Sequence, residues 1–248
     1  MFGISETGKT ATVENVVKEL KKRKYSVGTI KEIHYEDFAI DTKRTDTFRH
    51  KKAGAELVTA RGYNETDILY PEKLAINKIL KHYDHDFIVI EGVDKGNFPK
   101  IISAKTKKEI DERLDETVIA ITGVIANSID EYKGFPVINS LKNKKELIDL
   151  IEEKTFEKLP DFPEECCTAC GYSCKKLSHK IIKGEAKRDD CVISNSEVTL
   201  FINEQKVEMV PFVQKILKNA LNGVVSELEG YENNAKIRVE FEQLNEDV

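Results

Sequence analysis

At 248 residues, with 39 Lys and Arg against 44 Asp and Glu, the chain carries a net charge of −5. That length suits one large domain, or a main domain with a smaller appendage. With 33% charged and 40% hydrophobic residues it reads as globular, and its acidity argues against nucleic acid as the main partner. No apolar run is long enough to span a bilayer and no signal-peptide pattern is present, so a cytoplasmic location without membrane contact is expected.

The first ten residues read M-F-G-I-S-E-T-G-K-T, and residues 3–10 fit G-x-x-x-x-G-K-[ST], a phosphate-binding loop. Gly3, Ser5, Glu6, Thr7, Gly8, Lys9, Thr10 and Ala11 are the candidate nucleotide-binding positions. The glycines let the backbone curl until successive N–H groups face phosphate oxygens. Lys9 adds a point charge, and the Thr10 hydroxyl suits a Mg²⁺ that keeps most of its waters. Val13, Val16, Val17 and Leu20 recur at helical spacing and predict a helix whose positive end faces the same anion. A chance glycine-rich turn before a helix is the alternative. Only Met1 and Phe2 precede Gly3, too little for the strand that should feed such a loop, so a start further upstream is expected.

Residues 26–33 read as a short buried strand, and 34–52 as a long, polar, irregular loop. Asp37, Asp41 and Asp46 are candidates there for metal or water contacts, or else solvated loop carboxylates. Pro71 suits the first turn of a helix carrying Leu74, Ile76, Ile79 and Leu80. Residues 87–91, F-I-V-I-E, look like a buried parallel strand ending in an acid. Glu91 then stands at the Walker B position, where it would hold a Mg²⁺-bound water; a plain buried strand with a surface Glu is the alternative. Short strands are expected at 118–122 and 136–139, and a helix at 144–158. Asn143-Lys144-Lys145-Glu146 is faintly like a guanine-reading N-K-x-D, but reads better as a helix start capped by Asn143. Strands alternating with helices predict an α/β P-loop domain with a mostly parallel, doubly wound sheet.

These residues, taken in order, resemble one family. The phosphate loop, the strand into Lys31 and His34, D-F-x-I-D-T at 37–42, and Asp46-Thr47-x-Arg49-His50 belong to the series. So do Ala53-Gly54-Ala55, I-V-I-E-G at 88–92 and Phe98-Pro99-Lys100-Ile101. The resemblance is to molybdopterin-guanine dinucleotide biosynthesis protein B (MobB), over residues 1 to about 158. It implies a GTP-binding, weakly hydrolysing P-loop protein, commonly a homodimer, that assists molybdopterin guanylyltransferase. By position it implies phosphate and Mg²⁺ binding at Lys9 and Thr10, a Walker B role for Glu91, and Asp41 and Asp46 near the γ-phosphate. The chain departs from the pattern at Arg44-Thr45, where the family usually has glycine-lysine.

Residues 159–165 read as a proline-containing linker. Cys167, Cys170, Cys174 and Cys191 then give C-x2-C-x3-C-x16-C. Three close thiolates and a distant fourth can hold a [4Fe–4S] cluster. Zinc, which more often takes two separated pairs, is the lesser alternative, and Cys166 is either spare or an alternative to Cys167. The segment resembles the iron–sulfur domain of corrinoid iron–sulfur proteins, although Val192 stands where a proline often follows the last cysteine. A helix after Cys174 should end at Gly184.

The tail predicts a β-β-α-β unit: a hairpin around 203–205, a helix opened by Pro211, and a closing strand with Ile237, Val239 and Phe241. Its helix needs a partner surface. Three regions are therefore expected: 1–158 for the nucleotide, 159–192 for the linker and cysteine segment, and 193–248 for the terminal unit. The functional expectation is a GTP-binding accessory protein of molybdenum or tungsten cofactor assembly, serving a guanylyltransferase and a client metalloenzyme. A nucleotide-gated iron–sulfur electron carrier and a zinc-bearing scaffold are the rivals.

Overall fold

The computed structural model describes residues 1–35, 38–160, 162, 167–193, 198–203, 205–207, 209–232 and 236–240. Expectations placed on Asp37, Cys166 and Phe241 lie outside the described residues. The chain divides into two compact units, Met1–Phe156 and Glu157–Val248.

In the first unit α1 (Lys9–Lys22) follows the phosphate loop and β1 (Val27–Lys31) follows α1. Next come α2 (Asp46–Lys52), the antiparallel pair β2 (Val58–Arg61) and β3 (Thr66–Leu69), α3 (Ile76–Leu80) and β4 (Phe87–Glu91). The unit continues with β5 (Lys100–Ser103), α4 (Lys107–Asp111), β6 (Val118–Thr122), the short pair β7 (Glu131–Tyr132) and β8 (Phe135–Pro136), and α5 (Lys144–Lys154).

β1 and β4 run parallel, in a register that sets Lys31 opposite Glu91; β5 and β6 are likewise parallel. Residues 1 and 2 join these pairs. Met1 donates to Ile90 O at 2.7 Å and accepts from Gly92 N at 2.9 Å. Phe2 donates to Ile101 O at 3.1 Å and accepts from Ser103 N at 2.8 Å. A further parallel bridge pairs Ile121 with Val137. The hydrogen bonds thus run in the order β1, β4, residues 1–2, β5, β6, residues 137–138. Residues 1 and 2 thus hold the central position, bonded along both edges, with Phe2 buried.

Every residue of β5 and β6 is buried, so both faces of this part of the sheet are covered. Ile102 and Ile121, paired in register, join Phe2, Val118, Val137 and Ile110 of α4 in one apolar cluster. Val16 and Leu20 of α1, and Leu147, Ile148 and Ile151 of α5, are buried where the two helices pack. Arg23, just past α1, ties the helices by pairing with Glu152 and, at 2.6 Å, with Asp149.

Gly3 leaves the central strand at φ +149°, and a side-chain carbon there would stand 2.1 Å from Ser103 O. The carbonyl belongs to β5 and cannot move cheaply. Gly3→Ala is therefore expected to cost about 1–3 kcal/mol, read as a lower urea midpoint with an unchanged denaturant slope.

The polar stretch at 34–52 is not wholly irregular: its end forms α2, with Thr45 Oγ1 accepting from Phe48 N at 3.2 Å as the cap. Pro71 does not open a helix. α3 starts at Ile76, and none of its five residues is buried, so no packing extends it towards Pro71. α5 ends at Lys154, short of 158. Asn143 occupies its N-cap position without a side-chain cap, and its amide instead donates to Glu146 at 2.9 Å.

In the second unit α6 (Cys174–Lys183) is capped by Ser173 and stops at Gly184. It buries Cys174, Leu177, Ser178 and Ile182. The Arg188 guanidinium holds the carbonyls of Glu157 at 2.7 Å and Lys158 at 3.0 Å. β9 (Leu200–Ile202) and β10 (Gln205–Val207) form the hairpin, and α7 (Pro211–Val225) begins at proline. No strand forms at 236–240; among the described residues β9 and β10 pair only with each other, and a lone extended segment has no ladder to complete. Phe212, Ile216 and Val224 of α7 are exposed. Among the described residues no helix is long and apolar enough to cross a membrane.

Candidate functional site

The phosphate loop sits on the carboxyl ends of the central strands. Thr7, 1% exposed, donates its hydroxyl to Ile4 O at 3.1 Å, and Ser103 Oγ donates to Thr7 O at 3.0 Å. These bonds fix the loop from below. Glu6 and Gly8 are left-handed, at φ +59° and +93°, which turns neighbouring N–H groups towards one side. Nothing lies within 4 Å of where a Gly8 side chain would stand, so that side of the turn is unobstructed. Gly8 is also the N-cap of α1 and offers no capping side chain, and the first turn holds no acid. The helix end is left suited to an external anion.

Beside the loop, four side chains from three elements converge. Thr10 Oγ1 donates to Glu91 Oε1 at 3.2 Å, across 81 residues of sequence. Lys31 Nζ forms an ion pair with the same Glu91 oxygen. Glu91 is 5% exposed, so its charge is kept in a low-dielectric setting by these partners. Lys9 Nζ turns back onto Ile4 O. A hydroxyl and a carboxylate oxygen this close are hard donors of the type that hold a hydrated Mg²⁺, and both face the loop that would carry its phosphates.

Burial pushes the Lys9 ammonium below its ordinary value, and the positive charges of Lys31 and Arg113 push it the same way. A bound polyanion acts in the opposite direction. At alkaline pH, binding of a triphosphate is therefore expected to take up protons, and affinity to fall as pH rises through the lowered value. Calorimetry in buffers of different ionisation enthalpy reads that uptake.

Asp41 and Asp46 find their partners within their own loop. Asp41 accepts from Thr45 and, at 3.0 Å, from Thr47, and pairs with Lys51 at 2.9 Å. The Thr45 hydrogen bond, joined by Lys51, holds its carboxyl below the usual range. Asp46 pairs with Arg49 at 3.3 Å. Of the described cysteines, Cys174 and Cys191 are buried and Cys167 and Cys170 half-buried, none in a disulfide. Cys170 Sγ donates to Tyr172 O at 3.4 Å. Among the described residues no three metal-ligating side chains converge.

Lys31 is the site residue that reasoning from motifs missed as a charge partner. Its signal was positional: it ends β1 as Glu91 ends β4, and parallel register sets the two side by side.

A family model described as molybdopterin guanine dinucleotide synthesis protein B matches residues 1–125, half of the chain. A Haemophilus influenzae molybdopterin-guanine dinucleotide biosynthesis adapter protein is 28% identical over 126 residues, 48% of this chain and 70% of its own. A Methanocaldococcus jannaschii protein, which carries that description provisionally, is 28% identical over 249 residues, 98% of this chain and 96% of its own. That match runs through the cysteine segment and the terminal unit. The crystal structure of Bacillus subtilis MobB superposes on 63% of this chain and 96% of its own, with a TM-score of 0.53 at 20% identity. This shows a shared fold.

Proposed function

The chain belongs to the molybdopterin guanine dinucleotide synthesis protein B family, and on that premise we propose that it is an adapter in molybdopterin-guanine dinucleotide synthesis that binds Mg²⁺-GTP at its phosphate loop. One observation carries the nucleotide reading: Thr10 of the loop and Glu91 of β4 meet at 3.2 Å beside an open, left-handed turn. Backbone N–H groups of residues 3–10 would hold the phosphates, and Lys9 would swing from Ile4 O onto them. Thr10 and Glu91 would hold Mg²⁺, which neutralises charge on the β- and γ-phosphates. Lys31 would give up Glu91 and add its charge on the phosphate side.

Asp41 and Asp46 are the carboxylates available to orient an attacking water. Asp41 is tied to Thr45, Thr47 and Lys51, so unassisted hydrolysis should be slow. The partners that fit this reading are molybdopterin guanylyltransferase, a molybdenum or tungsten enzyme client and a second copy of the chain. Adding the protein to the guanylyltransferase reaction should raise the yield of GMP-bearing cofactor. Lys9→Ala should remove that gain, and an unchanged yield with the native protein would reject the adapter role.

The spacing of Cys167, Cys170, Cys174 and Cys191 supports a [4Fe–4S] element, with zinc the lesser alternative. Because the thiols do not converge as placed, metal would have to draw residues 167–174 and Cys191 together, so that binding and local folding are one event. Iron, sulfide and zinc analysis after anaerobic purification checks this. Equimolar iron and sulfide is expected, zinc alone would make the element structural, and neither metal would remove it.

A further inference from the structure

The inward face of α6 breaks its own pattern at one position. Cys174, Leu177 and Ile182 are buried there, and Ser178 is buried with them. A helix that only had to pack would carry an apolar residue at 178. The other buried side chains described in this unit are Leu159, Cys191, Ile193 and Met209. Ser178 is 0% exposed, and among the described residues its Oγ finds no hydrogen-bond partner. A buried hydroxyl left in that state is unfavourable. Inside a helix, serine ordinarily donates to the carbonyl four residues back, an outlet that Ser178 leaves unused. Its acceptor is therefore something the polypeptide alone does not supply.

Helix geometry narrows where that acceptor stands. Cys174 opens α6 and Ser178 follows it by four residues, so their Cβ atoms are neighbours at about 5–6 Å. Side chains on a helix lean towards its N-terminus, which directs the Ser178 hydroxyl to the Cys174 sulfur. As a neutral thiol that sulfur is a weak acceptor. As a metal-bound thiolate it carries negative charge and accepts well. The start of α6 favours the thiolate. Ser173 Oγ accepts from Lys176 N at 3.4 Å as the cap, and no acid lies in the first turn, so the helix's positive end faces the sulfur.

We infer that Ser178 is a positioning residue of the cysteine segment, donating its hydroxyl to the Cys174 sulfur once that thiolate holds an iron–sulfur cluster. The inference rests on the [4Fe–4S] element proposed above and adds the group that tunes one of its ligands. A hydrogen bond to a ligand sulfur favours the reduced, more negative state and raises the reduction potential.

The test loads the full chain and Ser178→Ala anaerobically with iron and sulfide. It then compares metal content, reduction potential and the Fe–S stretching bands in H2O and D2O. Equal loading, a more negative potential in the variant and a smaller D2O shift of its bands are expected. The metal-free variant should melt no lower than the metal-free native chain, because alanine removes an unpaired hydroxyl. A variant that keeps this melting temperature but no longer retains iron also supports the inference. A loaded variant whose potential and bands both match the native chain overturns it and leaves the cluster standing. So does a lower melting temperature of the metal-free variant, which would make Ser178 a packing residue. Zinc alone, or no metal, in the unmodified chain removes the cluster and the inference together.

Discussion

Lys9→Ala is expected to lower the affinity for a magnesium triphosphate by a few hundredfold while leaving the fold intact. An ammonium within contact distance of phosphate oxygens at a partly exposed site contributes on the order of 3–4 kcal/mol, and every 1.4 kcal/mol is a factor of about ten in affinity. No comparable loss of stability should accompany it. The Lys9 ammonium makes its contact with Ile4 O within the same loop, and the core contacts of α1 come from Thr12, Val16 and Leu20, so the change in stability should stay small beside the loss of affinity. Parallel titration and urea melts separate the two effects. A variant that binds normally would mean that the turn at 3–10 is a structural corner.

Glu91→Gln is the second large effect, and it falls on metal dependence. Glutamine keeps an acceptor for Thr10 and Lys31, both of which now point at Glu91 Oε1, so the local hydrogen bonds have a neutral replacement. The charge that would hold Mg²⁺ is lost. The ratio of triphosphate affinity with Mg²⁺ to that with chelator should fall by roughly tenfold or more, since a metal ion contributes several kcal/mol where phosphate charge collects. Lys31→Met separates the two roles of the carboxylate. With the competing cation gone, less free Mg²⁺ should be needed to reach the metal-dependent state. A higher Mg²⁺ requirement in Lys31→Met would show that Lys31 supports the metal site instead of competing for it.

Much of the site could be read from short-range pattern. The loop at 3–10, the helix it opens and the acid at the end of a four-residue apolar run each carry a local signature, and α1 and β4 form where those signatures place them. Cys174 as the start of α6, Gly184 as its end and Pro211 as the start of α7 were equally local. What escaped depends on pairing across the chain. That Met1 and Phe2 lie between β4 and β5 follows only once those strands are known to flank them. That Lys31 neutralises Glu91 follows from a register between strands 60 residues apart. α2 is the exception, because Thr45 with an acid after it is a local start signal that was lost among the polar residues around it.

The most direct measurement is a calorimetric titration of the unmodified chain with GTP, run once with Mg²⁺ and once with chelator. Saturable one-to-one binding, markedly tighter with the metal, is the predicted result. Heats of dilution alone up to millimolar GTP would contradict it, and the meeting of Thr10 with Glu91 would then be packing without a ligand.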